Sequence, residues 1–280
     1  MADLRAALGH ALEPAYRVER EVRPVGDCRL FVALDQAGGP DLLVKVLPAT
    51  LSLGVDPMTF AGDLRALAGS LAHHGLVAPQ SAGRAGPFVY HTRAFVEGTT
   101  LRAWLARHGE LPLRRAVEVL HDVLDALAHA HAAGVCHGDL KPENVLLTDG
   151  QAMVADTGVF GAVQRSWSAG GGGGGGGGRN GDGQGAAMAA LCAADYLEPE
   201  RRRGGGAGPR DDMFAVGVML HEMLTGRAPG AGAEPLEEVR AVPAWLGELG
   251  RRCRAAEPRE RWGDAGAALA GGTWPTGAGG

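Results

Sequence analysis

Cysteine and long apolar runs are scarce in this 280-residue chain. Its four cysteines lie far apart with no C-x-x-C pair, which argues against a zinc knuckle or a disulfide framework and predicts free thiols in a reducing compartment. The longest apolar run, Met213 to Leu220, is far shorter than the ~20 residues that cross a bilayer. The N-terminus lacks the basic and then apolar order of a signal peptide. We therefore expect a cytoplasmic protein with no membrane segment.

Positive charge is also in deficit, whereas glycine is in excess. The formal net charge is −5, so we expect no nucleic-acid partner. Glycine occurs 46 times, and residues 170–178 are all glycine. Such a run has no side chains to bury and loses much backbone entropy when it becomes ordered. The sequence therefore predicts a flexible insertion at about 166–185 and a disordered tail at 271–280.

Strand-like segments occupy the N-terminal third, and helical patterns dominate the rest. Short β-type runs with turn residues between them are Arg29 to Leu34, Leu42 to Leu47 and Phe88 to Val96. Apolar residues at helical spacing mark residues 3–12, Phe60 to Leu71, Leu113 to Ala133 and Asp212 to Leu224. This order predicts an α+β fold of two unequal lobes with a site between them.

The run from His137 to Leu147 carries groups that phosphoryl transfer needs. That chemistry requires cations on the phosphates, oxygen ligands for Mg²⁺ and an acceptor for the proton of the nucleophile. Asp139 would accept the proton, Lys141 would neutralise the transferring phosphoryl group, and Asn144 would hold a metal ion. Twelve residues beyond Asn144, a predicted strand ends at Asp156, a second metal ligand.

These motifs, in this order, resemble the protein kinase family, specifically serine/threonine kinases of the bacterial type, over roughly residues 16–270. Lys45 matches the lysine that contacts the nucleotide phosphates. Asp63 falls where the family has the glutamate of helix C that pairs with that lysine. Lys141 points to serine/threonine rather than tyrosine kinases. Further matches in the C-terminal half are Tyr196 to Glu200, Asp212, Gly217 and Arg261, the last being the expected partner of Glu200.

The resemblance implies a two-lobed protein-kinase-like fold. A small β-rich N-lobe with helix C would span residues 1–93, a hinge 94–98, and a larger helical C-lobe 99–270. The glycine-rich insertion would then lie in the activation segment of the C-lobe. The resemblance also implies ATP and Mg²⁺ as cofactors and a protein substrate with a serine or threonine acceptor. Because the sequence shows no sensor domain, a signalling partner protein is a further expectation.

The nucleotide pocket departs from the family pattern. The resemblance assigns nucleotide contacts to Gly26, Leu30, Leu43, Lys45, Asp63 and Asp156. Gly26 is the one glycine left near the family's glycine-rich loop, whose backbone N–H groups approach phosphates closely. Leu43 replaces a small alanine that faces adenine, and Arg93 stands beside the adenine pocket. The N-lobe side of the site, which lacks the glycine-rich loop, should therefore bind nucleotide weakly.

Three functions are consistent with this pattern. An active serine/threonine kinase is favoured because every charged group that the chemistry needs is present. A pseudokinase scaffold with weak or no nucleotide binding is the alternative, and the missing glycine-rich loop and the bulky Leu43 support it. A small-molecule phosphotransferase related to antibiotic kinases shares the H-G-D start of the loop. Those enzymes usually lack the D-L-K-P-E-N continuation, so this interpretation is the least favoured.

Activity should not depend on phosphorylation of the activation segment. Gly138 replaces the arginine that pairs with a phosphorylated loop, and Ser166 and Ser168 are the only hydroxyl side chains near the insertion. We predict that a Ser166→Ala, Ser168→Ala double variant keeps wild-type activity in a phosphate-transfer assay. Lost activity in a variant whose thermal unfolding is unchanged would refute this.

Overall fold

The computed structural model of the chain describes residues 4–25, 28–170, 194–198, 208–230 and 235–274. In chain order these residues form α1 (Leu4–Leu12), β1 (Tyr16–Val25), β2 (Cys28–Asp35), β3 (Leu42–Val46), α2 (Ala49–Ser52), α3 (Pro57–Ser70), β4 (Leu76–Val77), β5 (Pro79–Ala85), β6 (Phe88–Ala94), β7 (Thr99–Thr100), α4 (Leu101–His108), α5 (Leu113–Ala132), β8 (Val145–Leu147), β9 (Ala152–Ala155), α6 (Val159–Gly170), α7 (Pro209–Thr225), α8 (Leu236–Val239), α9 (Ala244–Cys253) and α10 (Ala265–Gly271).

The chain divides into two compact units. The first unit consists of Met1–Ala72, Val77–Val96 and Gly158–Leu191. The second consists of His73–Leu76, Glu97–Thr157 and Cys192–Gly280. The first unit contains the larger sheet and the second most of the helices, so the α+β class that the sequence predicts is confirmed.

An antiparallel five-stranded sheet in the order β1-β2-β3-β6-β5 forms the first unit. Side chains alternate between its faces, as the strand period of two requires. Phe31 and Val44 lie on one face, where Leu8 of α1 packs against them. Leu30 and Leu43 pack together on the other. Lys45 pairs with Leu30 across the β2–β3 ladder, and therefore lies on the same face as Leu30 and Leu43.

Helix α3, the predicted helix C, begins three residues earlier than its apolar spacing indicates. The Asp56 carboxylate accepts a hydrogen bond from the Thr59 backbone N–H at 2.8 Å, and Pro57 occupies the first turn. Both features favour a helix start at this point. Phe60 and Leu64 are fully buried on the inner side of the helix.

Two long helices form the core of the second unit. Helix α5 buries one apolar stripe, as its spacing predicts, whereas α7 is buried along nearly its whole length. A small sheet in the order β4-β9-β8-β7 accompanies them. Among the helices that the structure describes, none is both long enough and apolar enough to cross a membrane.

Helix α6 extends to Gly170, so the flexible insertion begins later than the predicted residue 166. Residues 166–170 continue this helix, and the Ser166 side chain is buried with its Oγ donating to the Val163 carbonyl at 2.9 Å. Apolar residues at Val159, Ala162 and Val163 give the segment a buried face, which the adjacent glycine run obscures in the sequence. The remaining insertion residues, 171–185, lie outside the described residues. The predicted disordered tail, 271–280, begins too early, because α10 includes Gly271 and Trp274 Nε1 donates to the Leu269 carbonyl at 2.9 Å. Residues 275–280 lie outside the described residues.

Candidate active site

Asp212, near the start of α7, holds the backbone of the predicted catalytic loop. Its two carboxylate oxygens accept hydrogen bonds from the backbone N–H groups of His137 and Gly138, at 2.7 and 2.9 Å. His131 Nε2 lies 2.9 Å from the same carboxylate. Burial opposes the charge of Asp212, but the His131 contact and the Gly138 N–H outweigh it and hold its pKa below the ordinary value.

His137 joins two acidic segments of the site. Its Nδ1 accepts from the Asp139 backbone N–H at 3.2 Å, and its Nε2 lies 3.0 Å from the Ala155 carbonyl. A carbonyl only accepts, so Nε2 carries the proton and the imidazole is neutral. Burial lowers the pKa of His137, although the charges of Asp212 and Asp139 act in the opposite direction.

The three predicted catalytic residues lie together in this loop. Lys141 Nζ is 2.7 Å from Asp139 Oδ2. Asn144 Nδ2 donates to the Asp139 carbonyl at 2.8 Å, so the amide oxygen is the atom that Asn144 can offer to a cation. A carboxylate, an ammonium group and an amide are groups that phosphoryl transfer uses, and their roles in this chain stay predictions.

Asp156 follows β9 in a strained backbone conformation. Its φ of 65° is the one positive value among the described non-glycine residues. Such strain concentrates at functional sites, and the carboxylate is buried. Asp156 and Asn144 provide hard oxygen donors, which are the ligands that Mg²⁺ prefers. The donor chemistry of these two residues therefore fits a magnesium ion.

The first unit carries the predicted nucleotide-binding residues that the structure describes, apart from Asp156 of the second unit. Leu30, Leu43 and Val32 form one apolar cluster, and Lys45 is buried on their side of the sheet. Arg93 of β6 pairs with Leu43 across the ladder and is also buried. Gly26 lies outside the described residues. The assignment of these residues to nucleotide contacts stays a prediction.

Asp63 forms an ion pair with a residue that the sequence did not indicate. The Arg165 Nε atom of α6 lies 2.8 Å from Asp63 Oδ2. Both residues belong to the first unit, where α6 packs against α3. The pairing of Asp63 with Lys45 stays a prediction.

Arg102 of α4 is a site residue that the sequence analysis missed. Its Nε donates to Glu143 Oε1 at 2.8 Å, and Glu143 directly precedes Asn144. Its Nη1 binds Glu222 of α7, and Tyr196 donates its hydroxyl to the same carboxylate. Burial opposes the charge of Arg102, but the bonds to Glu222 and Glu143 outweigh it and raise its pKa. The guanidinium therefore joins the catalytic loop to α7.

Arg261 is buried, as expected for a structural arginine. Its Nε donates to the Ala255 carbonyl at 2.8 Å, and its Nη1 lies 3.8 Å from Asp211. The predicted partner, Glu200, lies outside the described residues. The Arg261–Glu200 pair therefore stays a prediction.

His73, His74 and Asp125 cluster closely enough to suggest a metal site. However, the Gly75 N–H donates to His73 Nδ1 at 3.1 Å, which leaves the ring proton on Nε2. His73 Nε2 lies 3.3 Å from Asp125 Oδ2, the geometry of a donated hydrogen bond. The lone pair of His73 is therefore taken by the Gly75 N–H and is not available to a metal ion, and the contact with Asp125 anchors the loop before β4 on α5.

Comparison with known proteins agrees with this geometry. Residues 59–245 match the family model described as the protein kinase domain. Serine/threonine-protein kinase PknL of Mycobacterium tuberculosis is 31% identical over 271 residues, covering 91% of this chain and 64% of PknL. The chain thus spans less than two thirds of that relative.

Solved structures show the same fold. The kinase domain of Mycobacterium tuberculosis PknI aligns with a TM-score of 0.67 at 20% identity, over 92% of this chain and 96% of that one. Rad53 in complex with AMP-PNP aligns with a TM-score of 0.69 at 18% identity, over 91% and 64% of the two chains. At these identities the likeness concerns the fold alone.

Acidification below about pH 6.5, the ordinary histidine pKa, should destabilise the chain. The lowered pKa of His137 means that the folded chain binds fewer protons there than the unfolded chain. The free energy of unfolding therefore falls as the pH drops from about 6.5 towards the lower folded-state pKa. Urea unfolding between pH 7.5 and 5.5 measures this slope. His137→Asn should flatten it, whereas His10→Asn, at an exposed position, should not. An equal slope in wild type and His137→Asn would contradict the assignment.

Arg102→Ala should lower the free energy of unfolding by roughly 2 kcal/mol, because it leaves the Glu143 and Glu222 carboxylates without their shared cation. The Arg102 side chain is partly exposed, so the loss should be smaller than that for a fully buried ion pair. Chemical denaturation measures the loss. Arg114→Ala is the matched control, since Arg114 pairs with Glu118 at 3.1 Å but its side chain is 93% exposed. A similar change in both variants would show that Arg102 has no special structural role.

Proposed function

We propose, since the chain belongs to the protein kinase family, that it is a serine/threonine protein kinase that transfers the γ-phosphoryl group of ATP to a protein hydroxyl. The observation that carries this proposal is the Asp139 carboxylate with Lys141 at 2.7 Å. Both stand in a loop whose backbone Asp212 holds from the core of the second unit.

Each charged side chain has a distinct role in this reaction. Asp139 accepts the proton of the serine or threonine hydroxyl as that oxygen attacks phosphorus. Lys141 lies beside the same carboxylate and neutralises charge on the transferring group. Lys45 contacts the nucleotide phosphates. Asn144 fixes the position of Asp139 through the 2.8 Å bond to its carbonyl.

Asn144 and Asp156 would hold Mg²⁺, which neutralises charge on the nucleotide phosphates when bound. The two residues hold oxygen donors on a rigid frame, because His137 links the segments that carry them. The cluster of Leu30, Leu43 and Val32 offers an apolar surface for the base. Because the chain lacks the glycines of the family's glycine-rich loop, ATP binding should be weak.

The retention of every charged group favours catalysis over a scaffold role. A scaffold that binds no nucleotide has no use for Asp139, Lys141, Asn144 and Asp156 together, because proton acceptance, charge neutralisation and metal binding serve the transfer reaction. Ser166 is buried within α6, which supports activity independent of phosphorylation there.

The compartment is inferred from the thiols, and the partners are inferred from the proposed reaction. Among the described residues, Cys28, Cys136 and Cys253 form no disulfide bond, and burial raises the pKa of Cys136 and of Cys253 to about 12. Such thiols are unreactive and suit a reducing cytoplasm. A protein with a serine or threonine acceptor is the substrate, and a signalling partner supplies the regulatory input.

Asp139→Asn should lower the rate of phosphate transfer by about 10² to 10⁴-fold, because it removes the proton acceptor and keeps the side-chain shape. Transfer from radiolabelled Mg·ATP to the chain itself and to a generic protein substrate measures the rate. Mg·ATP should still raise the melting temperature of Asp139→Asn, whereas Asp156→Ala should lose that magnesium-dependent shift.

Asp149→Asn is the matched control, since Asp149 is exposed in the turn between β8 and β9. It should transfer phosphate at the wild-type rate. Absence of both transfer and a thermal shift at millimolar Mg·ATP would instead establish the scaffold function. Equal rates in wild type and Asp139→Asn would remove Asp139 from the mechanism.

A further inference from the structure

A cavity of about 250 Å³ lies in the second unit, between the C-terminal half of α7 and the end of α9. The start of α8 and the 3-10 turn Pro258–Glu260 complete its lining. Pockets for drug-sized ligands measure roughly 300 to 1,000 Å³, so this cavity suits a smaller molecule. Of the described residues that line it, none is among those proposed above to transfer phosphate.

Part of the cavity wall is apolar and tightly packed. Leu220 of α7 and Leu236 of α8 line it and are buried. Gly217 lines it as well, and a Cβ atom at this position would come within 2.8 Å of Arg254 Cγ. The glycine therefore lets the aliphatic stem of Arg254 pack directly against α7.

Arg254 brings a positive charge to this cavity. Its side chain is half-buried, and burial lowers the pKa of the guanidinium, which nevertheless stays charged. Arg251 also lines the cavity, but it already donates to both carboxylate oxygens of Glu248, at 2.9 and 2.7 Å. The lining carboxylate of Glu260 is exposed, and water and salt screen its charge. Arg254 is thus the cation that an anionic ligand meets in the cavity.

His221 brings a hydrogen-bond acceptor to the same cavity. Its Nδ1 lies 3.3 Å from the Arg227 carbonyl, and a carbonyl only accepts, so Nδ1 carries the proton of a neutral ring. Burial lowers the pKa of His221, and the charges of Arg254 and Arg227 act in the same direction. Nε2 consequently keeps its lone pair, and among the described residues none donates to it.

We propose that this cavity binds a small organic anion that also carries a hydrogen-bond donor, such as a hydroxycarboxylate. The anionic group pairs with Arg254, the donor bonds to His221 Nε2, and the apolar body packs on Leu220 and Leu236. The site shares no residue with the proposed phosphate-transfer machinery, so it stands or fails independently of the kinase function.

The three ring isomers of hydroxybenzoate are suitable probes. Benzoate lacks the donor and phenol lacks the anionic group, so both serve as comparators. Titration of the full chain by NMR gives each dissociation constant. We expect at least one hydroxybenzoate isomer to bind more tightly than either comparator. Absence of binding by all three isomers at millimolar concentration would overturn the proposal, as would equal binding of phenol.

Two substitutions test the polar contacts separately. Arg254→Gln should weaken hydroxybenzoate binding by about ten-fold or more, because it removes a hydrogen bond to a charged group. Arg259→Gln is the matched control, since Arg259 is exposed on the neighbouring turn and does not line the cavity. It should bind like wild type. His221→Phe keeps a ring but removes Nε2, so hydroxybenzoate should then bind no better than benzoate.

Ala255→Leu tests the location of the site without changing its charges. Ala255 lines the cavity, and its backbone carbonyl accepts from Arg261 Nε at 2.8 Å, a bond that the substitution leaves in place. The larger side chain should block the cavity and abolish binding of every probe. Should Arg254→Gln fail to fold, this variant decides the question. Wild-type affinity in Ala255→Leu, with unchanged thermal unfolding, would show that the probes bind elsewhere and would refute the assignment.

Discussion

The hydrogen bonds to the Asp212 carboxylate are the constraint on which the catalytic loop depends. A buried carboxylate is costly unless donors surround it, and this one receives two backbone N–H groups and a histidine. Because α7 is buried along nearly its whole length, packing fixes the position of the carboxylate. The loop is consequently anchored to the core, and Asp139 needs no substrate to hold it in place.

His137 extends this anchor to the second acidic segment. One neutral ring accepts from the Asp139 N–H and donates to the carbonyl of Ala155, the residue before Asp156. The spacing of the two carboxylates is therefore set by the dimensions of an imidazole and by its protonation state. A charged ring would have no lone pair for the Asp139 N–H, so burial of His137 protects the geometry as well as the fold.

Local patterns predicted the elements of this fold better than its long-range contacts. The β2, β3, α3 and α5 segments follow from period and turn residues, and the catalytic loop from its motif. Arg102 could not be identified in this way, because its partners lie 41 and 120 residues away and the sequence shows no pattern that pairs them. Helix α6 was obscured because the glycine run begins at its last residue. An ion pair across helices, such as Arg165–Asp63, depends on packing that no single segment encodes.

Gly138 matters both for the backbone of the site and for the predicted independence from activation-segment phosphorylation. By resemblance to the family, it stands where an arginine would pair with a phosphorylated activation segment. In the structure its φ is 77°, a conformation that glycine adopts without steric cost, and its N–H reaches Asp212. The loop thus keeps its anchor to the core of the second unit without an arginine at position 138.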